Sequence, residues 1–534
     1  MPAELDPPHD HTAPPRSRVG LVSLVGAGPW DPELLTLAGR DRLARADVVV
    51  VDYLVNPALL LHCRPDAQIV QRLEGPHEGV RLDQARINEL LIEHGLAGRH
   101  VVRLKGGDPM MFGRGAEEAS VLREHGVPFE FVPGVSSPIA APESAGIPIT
   151  HRDHTPSVSF VSGWEAYDKT GLSVAWTHLA LSAGTLVLMM SIRNAATNAA
   201  KLIAAGRDPS TPTAVIRWGT RGIQQTLVGT LADIAERIAA AGLRPPAVMV
   251  VGDVVRVREQ IAWLEQRPLH GRRIVVTRAA ESSADLARRL AAAGADVAVV
   301  PCLEFGPAPA DQREALERAL ADLADYAGVI VSSPRGAEAL LEGLARVGRD
   351  VRALAGRQVI AIGAATFQAC LAGGLRPDLV PTLATSEGLV ELLASHRLLD
   401  RRWLQVRADE GRDSLAAALR AAGGRLDVIV GYSTLRPRVP ELLLESLRPS
   451  DEGGEGFDAI VFASGRTAKH FFATLAERFD DAEVRAWVSA SQVVTIGPVT
   501  AAALVDMGVR VDAVAEQPSD EAIERALFDR LVRS

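Results

Sequence analysis

Cysteine is scarce in this chain of 534 residues. The three present, Cys63, Cys302 and Cys370, lie far apart and form no CxxC pair. That spacing argues against a disulfide framework, a zinc ribbon or an iron–sulfur cluster, so no metal site is expected. A reducing cytoplasm is the expected location. Long apolar runs are also missing. No stretch reaches the roughly 18–20 uninterrupted apolar residues of a membrane span, and no membrane partner is expected. The opening residues, MPAELDPPHDHTAPPRSR, contain no apolar stretch, so no signal peptide is expected. Residues 1–17 read as a short disordered lead. Positive charge is not in excess either. The formal net charge is -9, whereas phosphate binders usually carry a basic face, so no nucleic-acid partner is expected. An anionic small molecule remains compatible with this charge through a local cluster of Arg, Lys and backbone N–H groups.

What the chain does have is 47% apolar residues and apolar, β-branched runs that alternate with helical spacing from end to end. VSLVGAG, ADVVVVD, HVVRLK, FEFVPG, SFVSG, TLVLMM, TAVIRW and AVMVVGDVV form a first series. Between several of them apolar residues recur near every 3.6 positions, as at Ile87, Leu90 and Leu91. The pattern predicts an α/β protein with largely buried, mostly parallel strands. Asp31-Pro32-Glu33 predicts a helix start before LLTLAGRDRLARA, with a cap, a first-turn proline and an acid in order. A second series begins at RRIVVTR, and the domain boundary is expected within residues 267–271. Chain length alone calls for at least two domains.

The second half repeats itself. QVIAIGAATFQACLAGGLRPDLVP matches QVVTIGPVTAAALVDMGVRVDAVA, with Gly363 and Gly497 134 residues apart. A repeat of this length predicts two similar α/β lobes rather than a solenoid. Strand ends of open sheets are natural ligand sites.

Two glycine-rich loops in the first half are candidates for ligand binding. Gly26-Ala27-Gly28-Pro29-Trp30-Asp31 follows a strand, and Asp52 ends the next strand 24 residues after Gly28. Asp31 takes the place of the third glycine of GxGxxG, which leaves a dinucleotide loop and a plain tight turn both open. Lys105-Gly106-Gly107-Asp108-Pro109-Met110-Met111-Phe112-Gly113-Arg114-Gly115 says more. Its glycines expose backbone donors and acceptors, Asp108 can accept from a hydroxyl or an ammonium, and Met111 and Phe112 offer apolar cover. The combination suits a nucleoside with an amino-acid tail better than a pyrophosphate.

GAGPWDPELLTLAG, VVVVDYLV, INELL, VVRLKGGDPMMFGRGAEE, VPGVSSPIA and GIPITHRD occur in the order seen in uroporphyrinogen-III C-methyltransferases. This resemblance covers about residues 18–263. It implies a dimeric enzyme of two α/β subdomains that methylates a tetrapyrrole with S-adenosylmethionine. By motif position it implies cofactor contacts at Pro29, Gly106, Gly107, Asp108, Met111, Ser136, Ser137, Met190 and Gly219. Asp52 matches the family's proposed proton acceptor. Arg114, Arg152 and Lys105 are candidates for pairing with substrate carboxylates. Three departures stand out. Trp30 replaces a usual glycine, and either covers a bound face or fills a gap between subdomains. No lysine occurs at Gln71-Arg72-Leu73-Glu74, where the family has GKR. Ser162-Gly163-Trp164 replaces the family's TGH.

Residues 272–534 resemble uroporphyrinogen-III synthase through IVVTR, VIVSSPRGAEAL, VIAIGAATFQACL, TSEGLVELL, VRADEGRDSLAAAL, VIVGYST, IVFASGRTA and VTIGPVTAAAL. The resemblance implies two lobes joined by two chain crossings, with the first strand–helix unit returning beside the C-terminal part. It implies closure of hydroxymethylbilane with inversion of ring D. A flexible polycarboxylate calls for many N–H and hydroxyl donors, and Ser332, Ser333, Thr366, Ser464, Gly465 and Thr500 are the candidates. Tyr432 matches the tyrosine proposed to assist departure of the hydroxyl. The chain is therefore expected to be bifunctional, making uroporphyrinogen III in its second half (272–534) and methylating it to precorrin-2 in its first (18–266), towards sirohaem and cobalamin. A methylase of a later corrin precursor and a non-catalytic tetrapyrrole-binding module are the alternatives. Substrate competition separates the first, and cofactor binding without turnover would mark the second.

Overall fold

The computed structural model describes residues 19–71, 83–164, 174–182, 184–409, 414–449 and 456–532. The expected disordered lead, 1–17, lies outside them, as do Arg72, Leu73 and Glu74. The chain divides into two compact units, Met1–Cys302 with Arg438–Ser534, and Leu303–Pro437.

The first unit opens on a sheet of β1 (Val22–Gly26), β2 (Val48–Val51), β3 (Gln68–Gln71), β4 (Val101–Lys105) and β5 (Phe129–Val132), in the order β3-β2-β4-β1-β5. Every pair in it is parallel. β1, β2 and β4 are buried along their whole length, which is why they read as mostly apolar runs. The helix expected to start at Pro32 begins later. Asp31 caps only a 3-10 turn, Pro32–Leu34, and the α-helix Leu37–Arg45 is capped by Thr36, whose hydroxyl accepts from Gly39 N at 3.1 Å. Leu35 is extended between the two caps, so the stronger-looking signal sets a turn and the weaker one sets the helix.

A second sheet follows, built from β6 (Val158–Ser162), β7 (Thr185–Met189), β8 (Pro212–Arg217), β9 (Gln225–Thr230) and β10 (Ala247–Val251), in the order β6-β7-β10-β8-β9. Here the expectation of mostly parallel strands fails. Only β6 and β7 are parallel, and β10 runs antiparallel to both β7 and β8. The short segment 218–224 joins β8 to β9 as a hairpin, too short for the helical crossover a parallel pair needs. β9 has no fully buried position, so no apolar run marks it in the sequence.

The remainder of this unit carries β11 (Arg273–Ala279) and the start of β12 (Asp296–Pro307), then, after the second unit, β17 (Ala459–Phe462), β18 (Gln492–Thr495) and β19 (Ala513–Val514). β11 pairs parallel with β17, β17 with β18, and β18 with β19. The first strand of the second half thus returns beside the C-terminal part. The expected linker, 267–271, is packed rather than loose: Leu269 is fully buried and Gly271 N donates to Gly222 O at 2.7 Å.

The second unit holds β13 (Gly328–Val331), β14 (Gln358–Ala361), β15 (Arg402–Ala408) and β16 (Arg425–Leu435), ordered β14-β13-β15-β16 and all parallel. The end of β12 adds an antiparallel edge to β16, Glu304 opposite Leu435 through Pro307 opposite Tyr432. The repeat is visible atom by atom. Asp378 accepts from Val359 N at 2.7 Å, and Asp512 accepts from Val493 N at 2.8 Å. Gly363 and Gly497 each precede the helix that follows.

Candidate active sites

The two glycine loops of the first half meet. Gly28 and Gly107 form an isolated bridge, with Gly107 N donating to Gly28 O at 2.8 Å and Gly28 N to Gly107 O at 3.2 Å. A third glycine completes the contact. A Cβ on Gly134 would sit 2.3 Å from Gly107 O and 2.7 Å from Gly26 Cα, so three backbones approach more closely than any side chain permits. Asp108 locks the arrangement, accepting from Met110 N at 2.8 Å and Gly134 N at 3.0 Å. These bonds leave its carboxylate with spare acceptor capacity. A Cβ on Gly107 would fill the space beside Ser137, 3.4 Å from its hydroxyl, at the start of the helix Ser137–Ser144. From that helix Ala141 touches Gly219, where a Cβ would come within 2.3 Å. Pro29 O accepts from Thr220 Oγ1 at 2.9 Å. Pro29, Gly107, Asp108, Ser136, Ser137 and Gly219 are thereby brought together, with Gly106 against Leu54 on the same loop. Met111 is half-buried, and Met190 is exposed on the strand-end loop after β7. Backbone donors and a carboxylate in one cradle fit a nucleoside bearing an amino-acid tail, as S-adenosylmethionine does.

Backbone strain converges on the same loops. Among the described residues, the non-glycine residues with positive φ are Trp30, Phe112, Arg114, Met190, Trp218, Thr220 and Arg397. All but Arg397 lie in the candidate loops. Such residues cost about 1–3 kcal/mol each and persist where surrounding structure over-determines them, commonly at ligand sites. Trp30 packs against the second subdomain. Its ring meets Trp218 edge-on at 5.8 Å, and the Arg221 guanidinium lies over both rings, 4.0 Å from Trp30 and 4.5 Å from Trp218. Ser162 and Trp164 form a local turn, with Trp164 exposed.

Asp52 ends β2 in a half-buried position and is held by Arg103, whose Nη2 donates to its Oδ1 at 2.6 Å. Arg103 in turn reaches Glu118 at 3.2 Å, and Lys105 Nζ donates to the same Glu118 oxygen at 2.9 Å. Burial alone would depress the Arg103 pKa, but Asp52 and Glu118 together hold it above its ordinary value. Burial, then repulsion from Arg103, lowers the Lys105 pKa against the pull of Glu118 and Asp52. Lys105 is therefore committed to a buried network and cannot serve as a partner for substrate carboxylates, a correction to the expectation. Arg114 sits at the mouth of the loop, half-exposed and paired with Glu117 at 2.6 Å. Arg152 is exposed in the turn between His151 and Thr155.

In the second unit Tyr432 and Ser333 are joined, hydroxyl to hydroxyl, at 3.0 Å. Ser333 also caps the helix Pro334–Arg346, accepting from Gly336 N at 3.1 Å. Phe305 packs edge-on to Tyr432 at 5.7 Å. Ser332 Oγ accepts from Gln405 at 2.9 Å, and Thr366 is buried. In the first unit Ser464 closes a capping box with Thr467 at the start of Gly465–Leu475, and Thr500 is buried within Pro498–Asp506. Both serine caps are thus engaged in the fold as well as placed at strand ends.

Sequence reasoning missed Arg103, Glu118, Trp218 and Arg221. Arg103 and Lys105 stand two apart on one strand face, and a charged pair in a run as apolar as VVRLK is the signal that could have found them.

Residues 21–235 match the family described as Tetrapyrrole (Corrin/Porphyrin) Methylases, and residues 284–524 match Uroporphyrinogen-III synthase HemD. A porphyrin biosynthesis protein HemD of Ruminiclostridium josui is 34% identical over 78% of this chain and 82% of its own. The uroporphyrinogen-III C-methyltransferase of Bacillus subtilis is 39% identical over 63% of this chain and 68% of its own. A solved Thermus thermophilus uroporphyrin-III C-methyltransferase, complexed with S-adenosyl homocysteine, is 39% identical over 45% of this chain and 100% of its own, with a TM-score of 0.39. This chain belongs to the tetrapyrrole-biosynthesis proteins in which a tetrapyrrole methylase is joined to a uroporphyrinogen-III synthase.

Proposed function

We propose that residues 18–266 are the S-adenosylmethionine-dependent methyltransferase domain, 267–271 its connection, and 272–534 the synthase domain of a bifunctional enzyme. The second half closes hydroxymethylbilane to uroporphyrinogen III, inverting ring D with loss of water. The first half methylates that product twice, giving precorrin-2 on the sirohaem and cobalamin route. The observation that carries the methylase assignment is the Gly28–Gly107 bridge, on which the strained loops converge.

Bound S-adenosylmethionine supplies an electrophilic methyl group on a sulfonium. Gly106, Gly107, Asp108, Ser136 and Ser137 form one wall of its site, with Pro29, Met111, Met190 and Gly219 as the others. These residues would hold the cofactor beside the bound tetrapyrrole, and positioning of two reactants contributes much of the rate. Asp52, held in orientation by Arg103, takes the proton that the methylated ring sheds. Arg114 and Arg152 meet substrate carboxylates. In the second unit, Ser333 accepts from Gly336 N and shares a hydrogen bond with Tyr432; with Ser333 as the donor, the phenol O–H is free to protonate the departing hydroxyl. Ser332 and Thr366 supply further donors there, and Ser464, Gly465 and Thr500 supply them in the first unit. The protein acts in the cytoplasm as a homodimer through its methylase domain. Among the described residues no helix is long and apolar enough to cross a membrane.

Incubation with hydroxymethylbilane and S-adenosylmethionine should yield precorrin-2. Uroporphyrinogen I alone, the product of spontaneous closure, would refute the synthase half, and unmethylated uroporphyrinogen III would refute the methylase half. Asp52→Asn should slow methyl transfer roughly a hundredfold or more while S-adenosylhomocysteine still binds. Unchanged turnover removes Asp52 from the mechanism.

A further inference from the structure

The contact of Arg221 with Trp30 and Trp218 does not end within the methylase half. Its guanidinium donates twice to Asp296, Nε to Oδ1 at 3.2 Å and Nη2 to Oδ2 at 2.8 Å. Asp296 begins β12, inside the synthase half. Both side chains are nearly buried, 9% and 12% exposed. The loop bearing Arg221 is pinned to the same place. A Cβ on Gly222 would lie 2.2 Å from the Ala295–Asp296 peptide, and Gly222 O accepts from Gly271 N at 2.7 Å. On its other side the loop grips the Trp30 turn, through Thr220 Oγ1 to Pro29 O at 2.9 Å. Asn56 Nδ2 donates to Trp30 O at 2.9 Å and steadies that turn from behind.

We propose that Arg221 is a positioning residue for methyl transfer, and that Asp296 of the synthase half completes it. The proposal rests on the reading of Pro29 and Gly219 as cofactor walls. Those walls stand on two separate loops, with strained backbones at Trp30, Trp218 and Thr220. Cation–π contact of one guanidinium with both indoles, which meet edge-on, ties the two loops together. A guanidinium this buried needs a fork-shaped carboxylate partner, and the only one it has among the described residues comes from β12. Without that partner, water must enter beside the indoles or the loops must part. In either case the cofactor site loosens, although no residue touching the cofactor has changed. The synthase half is then a structural component of the methylase site, not only its neighbour on the chain.

The test uses the full chain, with S-adenosylhomocysteine as the probe and calorimetry as the readout. Arg221→Gln and Asp296→Asn should each weaken binding roughly tenfold, and Asp296→Glu should recover most of the loss. Asp296 also pairs with Arg273 at 3.4 Å, so Asp296→Asn should be the worse single variant, and the double variant Arg221→Gln with Asp296→Asn should lose no more than it does, because Arg221 acts through Asp296. Each variant should still close hydroxymethylbilane at the parent rate, which shows that the synthase half is folded. Unchanged affinity in both single variants overturns the proposal, as does a double variant whose losses multiply. If the parent itself fails to bind the probe, the cofactor reading falls together with the proposal. If the parent binds and the variants bind equally well, the proposal falls alone.

Discussion

Replacing Glu118 with Gln tests how the floor of the methylase site is held together. One Glu118 oxygen receives Arg103 Nε, Lys105 Nζ and Gln84 Nε2, at 3.2, 2.9 and 3.1 Å. Arg103, Lys105 and Glu118 are each at most 3% exposed, so solvent does little to screen them. With Asp52 the group holds two cations and two anions, and the substitution leaves one buried positive charge uncompensated. Removing one partner from a buried pair costs about 3–5 kcal/mol. The lower end applies because Lys105 can shed its proton. Its pKa is already depressed by burial and by Arg103, and Glu118 is the larger of the two groups holding it up. A loss of about 3 kcal/mol lowers the melting temperature of a domain of this size by roughly 6–12 °C. The pH dependence has a definite sign. A lysine whose folded pKa lies below its unfolded value binds more protons when unfolded, so stability rises with pH between those two values. In the variant that interval is wider, and the deficit against the parent should shrink towards about pH 10. Scanning calorimetry of parent and variant, at neutral pH and again near about pH 9.5, reads both quantities. A fall of less than about 3 °C, or equal falls at the two pH values, would refute the account of a dry, charge-balanced cluster.

The cysteines should be inert in the folded protein. Burial pushes the Cys63 thiol up to about 12 and raises Cys302 and Cys370 as well, so an alkylating reagent at neutral pH should label none until denaturant is added; labelling of Cys63 in the native state would contradict this. Tyr326 should be slow to ionise. Burial, then its bond to Asp427 at 2.7 Å, pushes the phenol up to about 12. The protonated phenol is favoured in the fold, so its contribution to stability is complete below about pH 10 and is lost as pH rises towards its folded value. Ultraviolet titration of the parent against Tyr326→Phe should show the missing transition at the alkaline end, and a difference near pH 10 would count against the pairing.

The parts of the fold that were legible in the sequence share one physical origin. β1, β2 and β4 are covered on both faces, which favours predominantly apolar strands and makes the buried charges of β4, Arg103 and Lys105, the exception. The duplicated lobes were legible because the same contacts recur, down to Asp378 and Asp512 closing the same backbone N–H. The second sheet was not legible in this way. β9 is half-exposed, and its direction depends on the β8–β9 hairpin, whose turn contains Trp218 and Thr220 in left-handed geometry that no motif announces. The helix start was misread because Asp31 and Thr36 both make good caps, and only packing decides which of them opens an α-helix. For the site, the glycines pointed to the cradle, since close backbone approach admits no other residue. Arg221 and Asp296 were silent because each reads as an ordinary charged residue until the fold brings together positions 75 residues apart.

The return of β11 to pair with β17 sets a timetable for biosynthesis. Ile274 leaves the ribosome long before its partner Ala459, and the whole of Leu303–Pro437 is made in between. At the usual rates of translation the gap lasts about 10–40 s. During that time a fully buried strand edge, Ile274 to Val276, has no β17 to cover it. The inserted unit can fold in the interval because its parallel strands find all their partners within it. The nascent chain thus finishes its middle before its surroundings, and the late arrival of Ala459–Phe462 is the step most exposed to aggregation.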